Sequence, residues 1–139
     1  MTSGYSRDAD TGYNTSLGTV NFNSTGIYIY AYEVSGGQGG IKFFGTESPV
    51  YLTDMNTLHI EMDGVHVDSS GYLCISVTPV KCFPGTTQGG VYAKVSTNTL
   101  NKTLDISGLI GSYYIVVTAR VWSHGDYSYG TIKKIYATR

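Results

Sequence analysis

The sequence predicts an all-β domain, a two-sheet antiparallel sandwich of the jelly-roll type with about eight or nine strands. Composition is the first reason, because 13 tyrosines and 18 glycines accompany many Thr and Val residues and few helix formers. The second reason is the alternation of apolar and polar residues in many short runs, which turn-forming residues separate. An immunoglobulin-like sandwich is the alternative fold, and strand order distinguishes the two.

The length of 139 residues fits one domain, residues 1–139, with a single buried core. Residues 1–18 are rich in Ser, Thr, Gly, Asn and Asp and predict a loop-rich lead-in. Residues 19–23 predict a short strand that buries Val20 and Phe22.

The strand after Gly26 alternates most clearly in the first half of the chain. Its expected inward residues are Ile27, Ile29 and Ala31, and its outward residues are Tyr28, Tyr30 and Tyr32. Residues 35–40 predict a flexible break. Two short strands follow over residues 41–44 and 50–52, separated by Pro49, which cannot donate to a β-ladder.

The second half continues with three alternating runs and a final strand. The expected inward residues are Leu58, Ile60 and Met62, then Leu73, Ile75 and Val77, then Val91, Ala93 and Val95. Residues 79–90 predict a long loop. The last strand, residues 131–138, breaks strict alternation between Ile132 and Ile135, which predicts a β-bulge near Lys133 or Lys134.

Residues 103–122 form the segment around which we expect the domain to be organised. An alternating run is followed by Gly108 and Gly111, which suit a tight turn, and then by a long second strand. We predict a hairpin whose second strand is central in its sheet. The expected inward residues of that strand are Tyr113, Ile115, Val117, Ala119 and Val121, and its other face carries Tyr114, Val116, Thr118, Arg120 and Trp122.

Charge and hydropathy argue against several classes of protein. The net charge is −1 and 14% of residues are charged, whereas a nucleic-acid binder usually carries a basic face. No run of about 18 apolar residues predicts a transmembrane helix. The first residues lack the basic and apolar regions of a signal peptide. We therefore expect a protein made and kept in the cytoplasm, or a domain excised from a longer protein.

Cys74 and Cys82 are the two cysteines. A hairpin turn around Thr78 could place them opposite each other, so a disulfide bridge is one interpretation. Two separate thiols are the interpretation we favour, since two cysteines make a weak disulfide framework.

Three segments resemble the galactose-binding-like jelly-roll domains of structural proteins in tailed bacteriophages and prophages. They are YLTDMNTLHIEMD (residues 51–63), TLDISGLIGSYYIVV (residues 103–117) and TIKKIYA (residues 131–137). A family pattern of Leu-Asp-Ile/Val-Ser-Gly-Leu-x-Gly-x-Tyr-Tyr near the end is matched by Asp105, Ser107, Gly108, Gly111, Tyr113 and Tyr114. Residues 10–13 resemble a family segment that usually ends in Trp, where this chain has Tyr13.

The resemblance implies a jelly-roll domain of a tail or baseplate protein, made in the bacterial cytoplasm and carried in the virion. Such domains are thought to bind glycans on the host cell surface, so the implied partners are a cell-surface glycan and other phage structural subunits, with a homo-oligomer as a further expectation. Neither nucleic-acid binding nor membrane insertion is implied. None of the matched residues is a sugar-contact motif.

The segment that follows the organising strand holds the candidate ligand-binding residues. Sugars present apolar C–H faces that stack on aromatic rings, and hydroxyl groups that need fixed donors and acceptors. The candidates are Arg120, Trp122, His124, Asp126, Tyr127 and Tyr129. We expect them to form a rim at the strand end, where binding groups concentrate. The alternative interpretation is an aromatic hairpin loop that packs on its own sheet.

Two other surfaces have a functional and a structural interpretation. The Tyr28, Tyr30 and Tyr32 ladder is either a flat stacking platform or, as is more common, outer-face packing or a contact with a neighbouring subunit. His59, Glu61 and Asp63 share one outer face and form either a polar groove with His66 or Asp68, or an ordinary solvated surface.

We expect no cofactor, with a calcium ion at Asp8 and Asp10 as a weak alternative, because their spacing is not that of an EF-hand. No pair of carboxylates is placed as a glycosidase needs, roughly 5 to 10 Å apart, and no nucleophile-elbow motif occurs. The sequence therefore predicts a non-catalytic carbohydrate-binding module of a phage structural protein. The alternatives are a virion assembly domain and, more weakly, a small glycoside hydrolase.

Overall fold

The computed structural model describes residues 5–7, 18–32, 40–80, 90–123 and 125–139. Within these residues the chain forms eleven β-strands and no helix. The strands are β1 (Tyr5–Arg7), β2 (Gly18–Asn23), β3 (Gly26–Tyr32), β4 (Gly40–Gly45), β5 (Val50–Tyr51), β6 (Thr57–Val67), β7 (Tyr72–Thr78), β8 (Val91–Val95), β9 (Asn101–Asp105), β10 (Ser112–Val121) and β11 (Tyr127–Thr138). Strand β1 lies inside the segment expected to be a loop-rich lead-in.

The strands form two antiparallel sheets. Sheet 1 has the order β1-β4-β10-β7-β8, with the short β5 also pairing with β10, and sheet 2 has the order β2-β3-β11-β6-β9. From β3 onward the chain repeatedly crosses between the sheets, and only β7 and β8 are consecutive strands paired with each other. The nested orders β3-β11-β6-β9 and β4-β10-β7-β8 are those of a jelly roll, which confirms the predicted fold.

The core lies between the two sheets and consists of the residues that the alternation placed inward. Its fully buried members include Ile27, Ile29, Leu58, Ile60, Leu73, Ile75 and Val117. Period-2 alternation directs every second side chain to the same face, so these predictions are confirmed. Phe22 differs, because it is 36% exposed and packs edge-on against Phe44 at 5.9 Å between ring centroids.

The predicted hairpin over residues 103–122 is wrong, because β9 lies in sheet 2 and β10 in sheet 1. The intervening residues lead from sheet 2 to sheet 1, and Ile106 among them is fully buried, with its N–H donating to the Asn56 carbonyl at 3.0 Å. Gly111 has φ of +97°, and its N–H donates to Thr53 Oγ1 at 2.7 Å. Strand β10 is central, between β4 and β7, as predicted.

Strand β11 begins earlier than the sequence predicts. Tyr127 and Tyr129 lie on the strand, and Ser128 between them is buried. The register of β11 against β6 shifts between Ile132 and Lys134, which confirms the predicted bulge, and a further shift occurs between Tyr129 and Thr131.

Part of the outer surface of sheet 1, on β4 and β10, is buried as well. Ile41, Phe43 and Val116 form a cluster against which Tyr114 packs, on the side opposite the main core. Thr118 is also fully buried, and its Oγ1 has no hydrogen-bond partner. The outward face of β10 was predicted but its burial was not, and for β4 only the strand was predicted.

Several predictions concern residues outside the described ranges: Asp8 and Asp10, the segment 10–13, Cys82 and its bridge to Cys74, and His124. Cys74 itself is fully buried, and burial raises the pKa of its thiol, while a hydrogen bond with Ser76 acts against that rise. Across the described strands and turns, no helix suited to crossing a membrane occurs.

Candidate functional site

Five tyrosines lie together on the outer surface of sheet 2, and we call this surface the tyrosine face. It comprises Tyr28, Tyr30 and Tyr32 from β3 and Tyr127 and Tyr129 from β11. The register explains the grouping, since Tyr32 pairs with Tyr127 and Tyr30 pairs with Tyr129 in the β3–β11 ladder. Their alternating neighbours, such as Ile29 and Ser128, are buried beneath them. Two segments far apart in sequence thus contribute to one aromatic surface.

The rings of the tyrosine face form two sets of planes. Tyr30 stacks on Tyr28, Tyr32 and Tyr127 at 5.2 to 6.3 Å between centroids, with interplanar angles of 17 to 26°. Tyr129 is inclined by 56° to Tyr30, at 6.0 Å. Rings that stack in this way cover one another's faces, so a ligand meets ring edges, hydroxyl groups and the faces at the ends of the rows. The surface is therefore angled, and the mutual packing of its rings agrees better with outer-face packing than with a flat stacking platform.

Mutual packing changes the acidity of two of these phenols. Partial burial is the main reason why the pKa of Tyr30 is raised, and repulsion from neighbouring phenol groups, Tyr127 first, adds to it. Partial burial also raises the pKa of Tyr28, with a smaller contribution from Tyr129. Both hydroxyl groups stay protonated at neutral pH and can donate as well as accept hydrogen bonds.

A His–Asp pair borders the tyrosine face on β6. His66 stacks on Tyr129 at 5.1 Å and 20°, and its Nε2 lies 2.7 Å from Asp68 Oδ1. The other carboxylate oxygen, Oδ2, accepts the backbone N–H of Tyr127 at 2.8 Å. Asp68 therefore fixes the His66 ring and the start of β11 at once, which places fixed polar groups beside aromatic surface.

Asp126 belongs to a structural contact between two turns. Its Oδ2 accepts the N–H of Ser70 at 3.2 Å. Ser70 Oγ in turn accepts the backbone N–H groups of Trp122 and Ser123, at 3.3 and 3.0 Å. The turn before β7 and the turn before β11 are thereby joined at one end of the sandwich.

Arg120 and Trp122 lie on the side of sheet 1. Arg120 is 4% exposed and alternates with Val116 and Thr118 on the outer surface of that sheet. The Trp122 ring is 45% exposed, and the Arg120 guanidinium carbon lies 3.5 Å from its centroid. Trp122 points outward as predicted, and its ring packs on this cation.

The five predicted site residues that the structure describes therefore do not converge on one rim. Tyr127 and Tyr129 join the tyrosine face, Arg120 and Trp122 pack together on sheet 1, Asp126 connects two turns, and His124 lies outside the described residues. The alternation in β11, with Tyr127 and Tyr129 separated by one residue, was the signal that could have placed them on a strand. Nothing in the local sequence pointed to His66 and Asp68 as their neighbours.

The structure does not bring His59 together with His66 or Asp68 in one polar groove. His59 stacks on Tyr136 at 4.7 Å, and its Nε2 lies 2.8 Å from Thr138 Oγ1. His66 and Asp68 lie toward the opposite end of β6, beside the tyrosine face.

An apolar cleft of about 210 Å³ opens at the end of the sandwich farthest from Tyr127. It is lined by Thr46, Val50, Leu52, Leu58, Ile115, Ile135, Tyr136 and Ala137. Thr46 and Tyr136 bring its only hydroxyl groups, so the cleft offers a sugar few hydrogen bonds. Over the described ranges, no three His, Cys, Asp or Glu side chains are grouped to hold a metal ion.

In comparisons with known proteins, no protein-family model, curated protein or solved structure matches the chain.

Proposed function

We propose that the domain binds carbohydrate, without catalysis, through the tyrosine face. The observation that carries this proposal is the position of five tyrosine rings directly beside the His66–Asp68 pair. Exposed ring surface, which is largest at Tyr127 with 39%, can accept the C–H face of a sugar. The phenol hydroxyls and the imidazole can exchange hydrogen bonds with sugar hydroxyl groups.

The biological setting that we propose is the particle of a tailed phage or prophage, in a tail or baseplate protein that contacts host-surface glycans. The support is the resemblance of residues 51–63, 103–117 and 131–137 to galactose-binding-like domains of such proteins. The jelly-roll strand order agrees with the fold of that family.

A glycan array of bacterial surface polysaccharides, followed by calorimetric titration, tests the binding. Tyr127→Ala should weaken binding of a selected glycan about thirtyfold, since truncating an anchor at a contact centre costs about 2 kcal/mol or more. Tyr136→Ala is the matched control. Tyr136 is 38% exposed on the outer surface of the same sheet, at the other end of β11, and its removal should leave affinity unchanged.

An assembly domain is the competing function, because the stacked rings also suit contact with another virion subunit. It predicts no selective glycan signal and a Tyr127→Ala variant that fails to join its partner subunits. Release of reducing ends from a bound polysaccharide would instead support a glycoside hydrolase and would overturn the non-catalytic proposal.

A further inference from the structure

We infer that the tyrosine face selects neutral glycans over acidic ones, and that Asp68 is the residue that determines this specificity. The inference rests on the proposed function and concerns the class of sugar that the same site takes.

The hydrogen bond with Asp68 determines which nitrogen of His66 can accept a hydrogen bond from a ligand. A carboxylate only accepts hydrogen bonds, so the contact at 2.7 Å requires that His66 Nε2 carries the proton and donates it. In a neutral imidazole, Nδ1 is then an acceptor. A sugar hydroxyl can donate to this atom, whereas a uronate, sulfate or phosphate oxygen has no proton to give.

The charge of the pair leads to the same selectivity. Neutral His66 and ionised Asp68 carry a net charge of −1, and imidazolium with the same carboxylate carries zero. The pair is therefore never cationic in either state of the histidine. An acidic sugar gains no net attraction from the pair and is repelled when the histidine is neutral.

A second carboxylate lies near the tyrosine face. Asp63 pairs with Thr131 in the ladder between β6 and β11, and Thr131 pairs with Tyr28, so an exposed carboxylate flanks the tyrosine face. Lys133 and Lys134 are both exposed at the bulge of β11, after Thr131. Lys134 pairs with Glu61 and lies over Tyr136 at 4.8 Å, toward the other end of the strand.

Matched sugar pairs provide the test. Each neutral oligosaccharide that the domain binds is compared by calorimetry with its counterpart in which the C6 hydroxymethyl group is a carboxylate. The wild-type domain should bind the acidic member at least tenfold more weakly, and added salt should narrow the difference because the charges are exposed.

Asp68→Asn should raise affinity for the acidic sugar several-fold while affinity for the neutral sugar changes by less than about threefold. The amide oxygen keeps an acceptor for the Tyr127 N–H and the charge is removed, while the amide NH2 donates to His66 Nε2, so that the imidazole proton moves to Nδ1. Glu61→Gln removes the same charge far from the tyrosine face and should leave both affinities unchanged. Asp63→Asn is a second test at an exposed position, should Asp68→Asn fail to fold, and it should shift the ratio in the same direction.

Equal wild-type affinity for both members of a pair, or a ratio unchanged in the folded Asp68 or Asp63 variants, overturns the inference while carbohydrate binding stands. Preference for the acidic member overturns it more strongly. If neither member of any pair binds, the proposed function itself fails, and the inference fails with it.

Discussion

The two outer surfaces of this sandwich are built by the same alternation but differ in exposure. On sheet 1 the outward positions of β4 and β10 include Ile41, Phe43, Val116, Thr118 and Arg120, all at most 4% exposed. On sheet 2 the corresponding positions hold tyrosines and histidines that are partly open to solvent. The difference teaches that alternation assigns a side chain to a face but does not indicate whether that face is covered, since the polar Thr118 and Arg120 are buried on sheet 1 as well. Four predictions test this contrast.

The largest effect is expected at Phe43, which is fully buried on the outer surface of sheet 1. Phe43→Ala should lower the free energy of unfolding by about 3 to 5 kcal/mol, the usual cost of removing a buried aromatic ring. Chemical denaturation measures this loss, and glycan affinity per folded molecule should not change. Phe43→Leu is the control and should retain most of the stability. A loss below about 1 kcal/mol would show that sheet 1 has no packed outer layer.

A variant of Trp122 tests which of two surfaces binds the glycan, the rim that the sequence predicted or the tyrosine face. Trp122→Ala should cost about 2 kcal/mol of stability, because the buried Arg120 guanidinium loses the ring 3.5 Å away. Binding should remain, since Trp122 packs on the side of sheet 1. Trp122→Phe keeps a ring over the cation and should recover part of the loss. Abolished glycan binding in a fully stable Trp122→Ala protein would restore the rim and remove the tyrosine face as the site.

A double-mutant cycle measures the stacking within the tyrosine face. Tyr30→Ala and Tyr127→Ala should show a coupling of about 0.5 to 1.5 kcal/mol in unfolding free energy, since the rings stack at 5.8 Å. The reference cycle combines Tyr30→Ala with Tyr136→Ala, and these should be additive within about 0.5 kcal/mol. Additivity in both cycles would mean that the rings are neighbours without energetic contact.

The smallest effect is a loss of stability in alkali. The folded pKa of Tyr28 and Tyr30 lies above the ordinary value of 10.0, so the unfolded chain releases these protons first as pH rises. The contribution of these two protonated phenols to the free energy of unfolding is fully present below pH 10.0 and is lost as pH rises through the folded pKa values. Denaturation at a series of pH values measures it. Tyr30→Phe should flatten the decline, and an unchanged slope in that variant would contradict the prediction.

Much of the fold could be predicted from the sequence, because the period-2 alternation that marks a strand and its inward face depends only on adjacent residues. The inward faces of β3, β6, β7 and β10 are examples. Partner strands depend on distant residues, and for that reason the predicted hairpin was wrong: Leu104 pairs with Leu58 in sheet 2, while Val117 pairs with Ile75 and Phe44 in sheet 1. Alternation contains no information about which sheet a strand joins.

The candidate site shows the same limit. Tyr127 and Tyr129 were chosen for their chemistry, and the β3 tyrosines were considered separately. The ladder that joins Tyr32 to Tyr127 is a non-local feature. The contact of Asp68 with the backbone N–H of Tyr127 spans 59 positions and depends on sheet packing, which a single sequence does not reveal.

The position of β11 in sheet 2 has a consequence for the time course of folding. Ile27 of β3 pairs with Ile132 of β11, which is synthesised about 100 residues later. Until then the strand that lies between β3 and β6 is missing. On the ribosome, β3 and β6 therefore emerge with one edge each unsatisfied, and such edges favour pairing with other chains. Contacts this distant in sequence also slow the search for the native state. We expect nascent chains that stop before residue 127 to aggregate, and full-length chains to fold late and slowly, with the aromatic surface assembled in the final step.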